Sequence, residues 1–456
     1  MMYRMINVKP KYQSLQRILW RKLGEPDLKC FQLSTVTCTA SASYQATRTL
    51  MQLVTDEGEQ FPLASEALEL NSYLDDIITG ANDLNSAVQV QDELISLLGK
   101  GGFTLHKWHS NDQEVLSRIP DEKRESCSFQ FPDGSFTLKT LGLFWNPTSD
   151  VFQVTVPNEI MNIMKRNILS VISKIYDPLG LVSVVVIKAK IIMQSLWKEE
   201  LDWDSPVPDH ITIAWNSFVE TITLLREIKV PRVIFHQDYD DFQCHGFADS
   251  LTKAYGCAIY LRATNKSNKR SMVRLICSKS RVAPLKPTSL PRLELCASLL
   301  LARLMQTVLR ELHMNVTSYN SWTDSTIALS WIQSHPARWN VFVANRVAEI
   351  QDLTDKRSWR HVSSTDNPAD LVSRGLTSKS LDRCSLWWEG PAWLSKPEEL
   401  WQTTQMSTKV IDLPEKKVVS HSTIVKSTNK SYLLEKLHSF SKWPRLQRTL
   451  AYHMLV

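Results

Sequence analysis

Four acidic residues bound the chemistry open to this sequence: Asp249, Glu294, Asp324 and Asp370. Each stands in a different stretch of chain, dozens of positions from the next. One carboxylate per element, converging from distant positions, is how a fold assembles an oxygen-ligand site for a divalent metal. Hard cations such as Mg²⁺ or Mn²⁺ suit such ligands, and no His or Cys cluster competes for them. Two such ions about 3.5–4 Å apart would activate a water and steady the leaving oxygen of a phosphodiester. Each acid also has a plain structural alternative. Asp249 could cap a turn, Glu294 could answer the dipole of its helix, and Asp324 could cap the helix after it. Asp366 competes with Asp370 for the last position. The ordered set, not any one member, carries the metal reading. Brought together without metal, the four carboxylates repel, so at least one pKa is expected to rise.

The elements that must position them can be read from pattern. Residues 244–260 read as a β-hairpin, a strand ending near Asp249, a polar turn, then a strand over 254–261. An acid beside Phe247 and Ala248 is costly unless a cation meets it. Glu294 stands in the opening turn of a long apolar helix that runs on through Leu299, Ala302, Met305, Leu309 and Leu312. Ser289 is its predicted cap, with Pro291 in the first turn. From Leu293 to Met305 this helix is apolar nearly all round, which predicts burial, and Ala297 and Ser298 leave room around the carboxylate. Asp324 ends a short strand and a helix follows over 326–333. Asn367 can cap, and Pro368 can start, a helix with Asp370 in its first turn. Between the hairpin and Glu294 lie Arg262, Lys266, Lys269, Arg270, Arg274, Lys279, Arg281, Lys286 and Arg292, with no acid among them. A solvated hairpin is one reading of such a run. The favoured one is a phosphate-binding face formed chiefly by Lys269, Arg270, Arg274, Lys279 and Arg281, with salt-dependent affinity.

The chain of 456 residues is long enough for two to four domains. Its 43% hydrophobic and 22% charged content is ordinary for a globular protein, and its net charge of +6 is compatible with a nucleic-acid partner. The most apolar stretch, 179–193, is interrupted by Lys188 and Lys190 and is too short to span a bilayer. Eight scattered cysteines without a Cys-x-x-Cys pair argue against a disulfide framework or a zinc site and for a reducing, intracellular setting. Residues 37–43 are a run of small side chains, a loop with a capping serine or a place of close approach. Residues 71–80 read as two short strands meeting at Asp75 and Asp76. A helix with Leu84, Val88, Ile95 and Leu98 on one face follows, stopped by Gly99 and the Gly101-Gly102 pair. Residues 111–235 read as scaffold, a strand region over 136–145 and helices over 158–173 and 182–200, broken at 176–180. The tail holds a Trp-rich stretch over 386–394, then a polar linker from about residue 403 to 430.

Phe247-Ala248-Asp249-Ser250, Glu294, Thr323-Asp324-Ser325 and the run from Asn367 to Gly375 resemble the motifs of the ribonuclease H domain of retroelement polyproteins. Tyr73-Leu74-Asp75-Asp76, followed by a helix, then Gly102-Phe103-Thr104-Leu105-His106-Lys107-Trp108 and Leu141-Gly142, resembles the polymerase motif of reverse transcriptases. Tyr176-Asp177-Pro178-Leu179-Gly180-Leu181 and Trp387-Trp388-Glu389-Gly390-Pro391 narrow the likeness to the BEL/Pao group of long-terminal-repeat retrotransposons, over nearly the whole chain. The resemblance implies an α/β (α+β) chain, a piece of a longer polyprotein. An incomplete reverse-transcriptase palm would occupy 1–110 and a thumb or connection-like region 111–235. A ribonuclease H-like mixed five-stranded sheet with flanking helices would follow over 236–380, then a Trp-rich segment and linker over 381–456.

The activity implied is hydrolysis of RNA in an RNA–DNA hybrid. The same likeness makes Asp249, Glu294, Asp324 and Asp370, and separately Asp75 and Asp76, ligands of Mg²⁺ or Mn²⁺. It implies no membrane, a cytoplasmic retroelement particle with access to the nucleus, and a protease and an integrase in the parent element. Two departures matter. A reverse transcriptase needs a further aspartate on an earlier strand, and residues 2–6 look like those just after it, so polymerisation by this chain is not expected. Some relatives carry a mobile histidine before the last acid; here the place reads Ser363-Ser364-Thr365, with His361 standing earlier. The rival readings are a catalytically inert nucleic-acid-binding relic and a metal-dependent nuclease unrelated to retroelements.

Overall fold

A computed structural model describes residues 2–24, 26–37, 40–124, 129–130, 136–140, 143–154, 156–157, 163–235, 239–401 and 413–417. Helices Ala42–Glu57, Pro62–Leu70 and Leu84–Lys100 pack around Leu50, Leu68, Leu94, Leu97 and Phe103. The buried face of the third helix is Gln91, Leu94, Leu97 and Leu98, while Ile95 stands 45% exposed, a correction to the face read from sequence. Apolar periodicity passed over Gln91, which is buried because its Nε2 donates to the Val115 carbonyl at 3.0 Å. Strands Ser72–Tyr73 and Asp76–Ile77 form the expected hairpin, turned through Leu74 at φ 56°. Asp75 and Asp76 are exposed at its tip. Of the stretches read from sequence in this half, Leu141-Gly142 and residues 158–162 lie outside the described residues, as does nearly all of the predicted linker.

The sheet that matters for function has strands β1 (Asp241–Ser250), β2 (Ala254–Thr264), β3 (Ser271–Val282), β4 (Val316–Thr323) and β5 (Trp359–His361). Its order is β3-β2-β1-β4-β5, antiparallel across the first three strands and parallel from β1 through β4 to β5. Parallel pairs need helical crossovers. These are α1 (Leu290–Glu311), α2 (Thr326–Gln333) and α3 (Val341–Leu353); α4 (Ala369–Arg374) follows β5. The α1 side is filled by Leu295, Leu301, Met305, Ile332, Val343 and Trp359. Gly246 of β1 lets α1 lie close, since a Cβ there would overlap Leu301 and Met305.

The opposite face is covered by residues from far away in sequence. Helices Lys165–Lys174, Ser183–Lys198 and Asp209–Ile222 share one core with Phe247, Tyr260, Trp322, Val372, Trp387, Trp393 and Trp401. Divisions at 235 and 381, expected from sequence, therefore run through a single packed core. The 176–181 stretch is a docking turn: Asp177 accepts the amides of Leu181 and Val182 at 2.7 and 2.9 Å, and Leu179 O accepts from Ser278 of β3 at 2.8 Å. Gly180 takes φ 74°, a conformation that suits glycine, against Ser278. The Trp-rich stretch is a lid on the sheet. Tyr260 donates to Trp387 O at 2.8 Å and the Trp387 indole donates to Leu181 O at 2.9 Å. Among the described residues no helix is long and apolar enough to cross a membrane.

Candidate metal centre

Asp249 is the penultimate residue of β1, and Asp324 follows the last residue of β4. Ala248 is paired in register with Thr323, so the two acids emerge side by side at the carboxyl ends of adjacent parallel strands. Ligands of parallel sheets gather at that edge. Glu294 comes to the same point from α1, one residue past the first turn expected to hold it, where the dipole effect has already fallen off. Ligand oxygens of Asp249, Glu294 and Asp324 lie within 4.8 Å of one another. The capping alternative for Asp324 does not hold, because Ser325 is the cap and accepts the Ala328 amide at 3.2 Å.

Asp370 stands in the first turn of α4, as expected, but outside the close trio. Its Oδ1 accepts a hydrogen bond from Arg374 Nε at 2.6 Å. Ser373 ties it to the others: its hydroxyl lies 3.0 Å from Asp370 O and hydrogen-bonds Asp249 Oδ2. Asn367 seats the helix, donating to Ala248 O at 3.1 Å while its own carbonyl accepts the Ala369 amide. Asp366 lies instead in a short 3₁₀ turn, on the wall of a groove it shares with Arg270, Arg274 and Glu389. Ser373 drew no role from sequence; its only signal is its place three residues beyond Asp370, one helical turn on.

Asp249 and Glu294 are 4% and 7% exposed. Burial pushes Asp249 up to about 7, with the charges of Asp324 and Asp370 adding to it and the Ser373 hydroxyl opposing it. Burial pushes Glu294 up to about 9, reinforced by Asp249 and Asp324. The expected rise is present. Glu294 Oε2 is buried with no hydrogen-bond partner. A buried, unpartnered carboxylate oxygen facing two further acids is the donor set of a hard divalent cation, so the residues present fit such an ion.

The nine basic residues do not make one face. Arg262 is 5% exposed and structural, donating to Leu394 O at 2.9 Å, Gln243 Oε1 at 2.9 Å and Lys396 O at 3.2 Å. Arg274 pairs with Glu389 at 3.1 Å and Arg292 with Glu415 at 2.7 Å. Lys279 and Arg281 are exposed and flank Ser280, which is in register with Gly256 and through it with Asp249. Two strand spacings put them about 10 Å from the acids. Lys269 and Arg270 sit at the β2–β3 turn, beyond Thr264, about 27 Å further along the strands at ~3.4 Å per residue.

Residues 164–325 match the model of the Pao retrotransposon-like RNaseH-like domain. No curated protein matches the chain. Among solved structures, the foamy viral protease-reverse transcriptase dRH in complex with double-stranded DNA is 10% identical over 78% of this chain, with a TM-score of 0.47. This chain spans 54% of that one, about half its length. RNase H1 from the archaeon Halobacterium salinarum is 10% identical, matching 32% of this chain and 100% of its own length with a TM-score of 0.19. The N-terminal RNase H domain of rv2228c from Mycobacterium tuberculosis matches 31% of this chain and 96% of its own, also at 10% identity, with a TM-score of 0.20. The acids of β1, α1 and β4 all fall within the span, 164–325, that is similar to the Pao retrotransposon-like RNaseH-like domain.

Proposed function

We propose that the domain hydrolyses RNA in RNA–DNA hybrids at a divalent-metal site formed by Asp249, Glu294 and Asp324, with Asp370 as the fourth ligand. The observation that carries the reading is the meeting of three carboxylates within 4.8 Å, one of whose buried oxygens has no partner. Mg²⁺ or Mn²⁺ bound there would supply an activated water and neutralise charge on the phosphate. The protein's part is to hold the acids on rigid strand ends and a helix, so that little reorganisation accompanies binding. Ser373 orients Asp249, and Arg374 holds Asp370 beside the trio. Lys279 and Arg281 are the cations suited to steer a phosphate backbone toward this edge. No polymerase activity is assigned to the hairpin of Asp75 and Asp76. Among the described residues, no third acid joins them in a metal-type cluster.

The test is cleavage of a labelled hybrid by the purified chain. Cleavage is expected with Mg²⁺ or Mn²⁺, none with a chelator, and only background for Asp249→Asn, which removes a ligand charge at nearly constant volume. A wild-type chain that binds the hybrid yet leaves it intact with either metal would favour the inert, binding-only relic.

A further inference from the structure

The loop between β5 and α4 reaches back to Asp324 in two places. The Ser364 hydroxyl donates to Asp324 Oδ2 at 2.6 Å. The His361 ring nitrogen Nε2 lies 3.2 Å from the Asp324 carbonyl, which can only accept, so Nε2 carries the proton. His361 Nδ1 is buried and bonds nothing, so the ring has no competing partner. Below this contact the Val362 amide donates to Thr323 O at 3.1 Å, extending the β4–β5 pairing to the residue before the acid. Above it, the Asn367 amide donates to Ser364 O at 3.3 Å, and the Asn367 side chain is anchored on Ala248, next to Asp249. One short loop thus grips both the backbone and the carboxylate of Asp324, and its far end is fixed beside a second acid.

We propose that Ser364 is a positioning residue, whose hydroxyl, with the His361 ring on the adjacent carbonyl, holds the Asp324 carboxylate in place for a divalent cation. The inference rests on the metal-centre reading above. A hydroxyl on one oxygen of a ligating carboxylate leaves the other free for the ion and fixes the direction of approach. Partners of this kind typically contribute 10–100-fold to metal affinity or activity. Some relatives carry a mobile histidine at this place; a short hydroxyl fastened to the acid itself has a different job.

The experiment follows the thermal unfolding midpoint of the full chain as MgCl₂ is titrated, alongside the Mg²⁺ dependence of hybrid cleavage. Ser364→Ala should need about 10–100-fold more Mg²⁺ for both transitions, with its metal-free midpoint unchanged. Ser364→Thr, which keeps the hydroxyl, should restore the wild-type Mg²⁺ requirement. Unchanged or tighter Mg²⁺ binding by Ser364→Ala overturns the inference, tighter binding meaning that the hydroxyl competes with the cation. A Thr variant as weak as the Ala variant, at the same metal-free stability, overturns it too. A wild-type chain that Mg²⁺ does not stabilise at all overturns the metal-centre reading itself, and this one with it.

Discussion

Asp249 and Glu294 are held at a cost, and the cost has a pH signature. Their carboxyls titrate near 7 and 9 in the fold, above the 3.8 and 4.5 of the free groups. Between those limits the folded chain binds more protons than the unfolded one, so metal-free stability falls as pH rises. Asp177, pushed up to about 6 by burial, adds the same sign only at the acid end. The unfolding midpoint in chelator should therefore drop from pH 5 to pH 9. The part above pH 7 should flatten in Glu294→Gln, and stabilisation by Mg²⁺ should grow with pH. A midpoint that rises over the same range would contradict the buried-acid account. The acids themselves were legible in the sequence because each ends or opens a recognisable element. Their hydroxyl partners were not. Ser364 and Ser373 look like any loop or helix serine until the fold sets them against Asp324 and Asp249. Arg262 misled for the same reason: only tertiary neighbours distinguish a buried cation that donates to three oxygens from a surface one.

At the scale of elements, the hairpin β1–β2 was readable from two strand-forming runs around a polar turn, and helix α1 from a surface that is apolar nearly all round over 293–305. What those runs could not supply was the far end of β3. The strand is long, its pairing with β2 shifts register between Ile259 and Tyr260, and its basic residues are distributed along most of its length. Gly256 marks the end that works: a Cβ there would overlap Val372 of α4, so the helix carrying Asp370 packs directly on the strand opposite Asp249. Phosphate binding should follow this geometry and not the charge run. Lys279→Ala with Arg281→Ala should weaken hybrid binding and flatten its dependence on log salt by about 0.7–0.9 for each phosphate no longer neutralised. Lys269→Ala with Arg270→Ala should change the slope less. Equal effects from the two pairs in a salt titration would restore the single basic face.

For the molecule as a whole, composition and spacing suggested a sheet domain with a separate connection before it and a tail after it, and the packing joins all three. The Trp-rich stretch read as a tail because tryptophans interrupted by Gly and Pro carry no helical or strand period. Tyr260 meets the Leu386 and Trp387 carbonyls from 126 and 127 positions away, and no local pattern reports such pairings. In the fold, Trp393 and Trp401 lie against Trp322 at ring-centroid distances of 5.0 and 6.1 Å, and the Arg262 guanidinium sits 5.5 Å over Trp401. His245, wholly buried beside Trp322 and Trp401, is driven down to about 3 by desolvation first and by Arg262 and Arg360 next, so it stays neutral under that cover. Removing the cover would expose Phe247, Tyr260 and Trp322, leave Arg262 without its two carbonyl partners, and hydrate a histidine the fold keeps dry. Truncating a single buried tryptophan to alanine costs about 3–5 kcal/mol, and this cover contributes three, Trp387, Trp393 and Trp401. A chain ending at residue 380 should therefore fail to give a cooperative unfolding transition by circular dichroism and should lose hybrid cleavage. One ending at residue 401 should keep both. Should the shorter chain unfold cooperatively near the wild-type midpoint, the sheet domain is self-sufficient, and the Trp-rich stretch is the tail its sequence suggested.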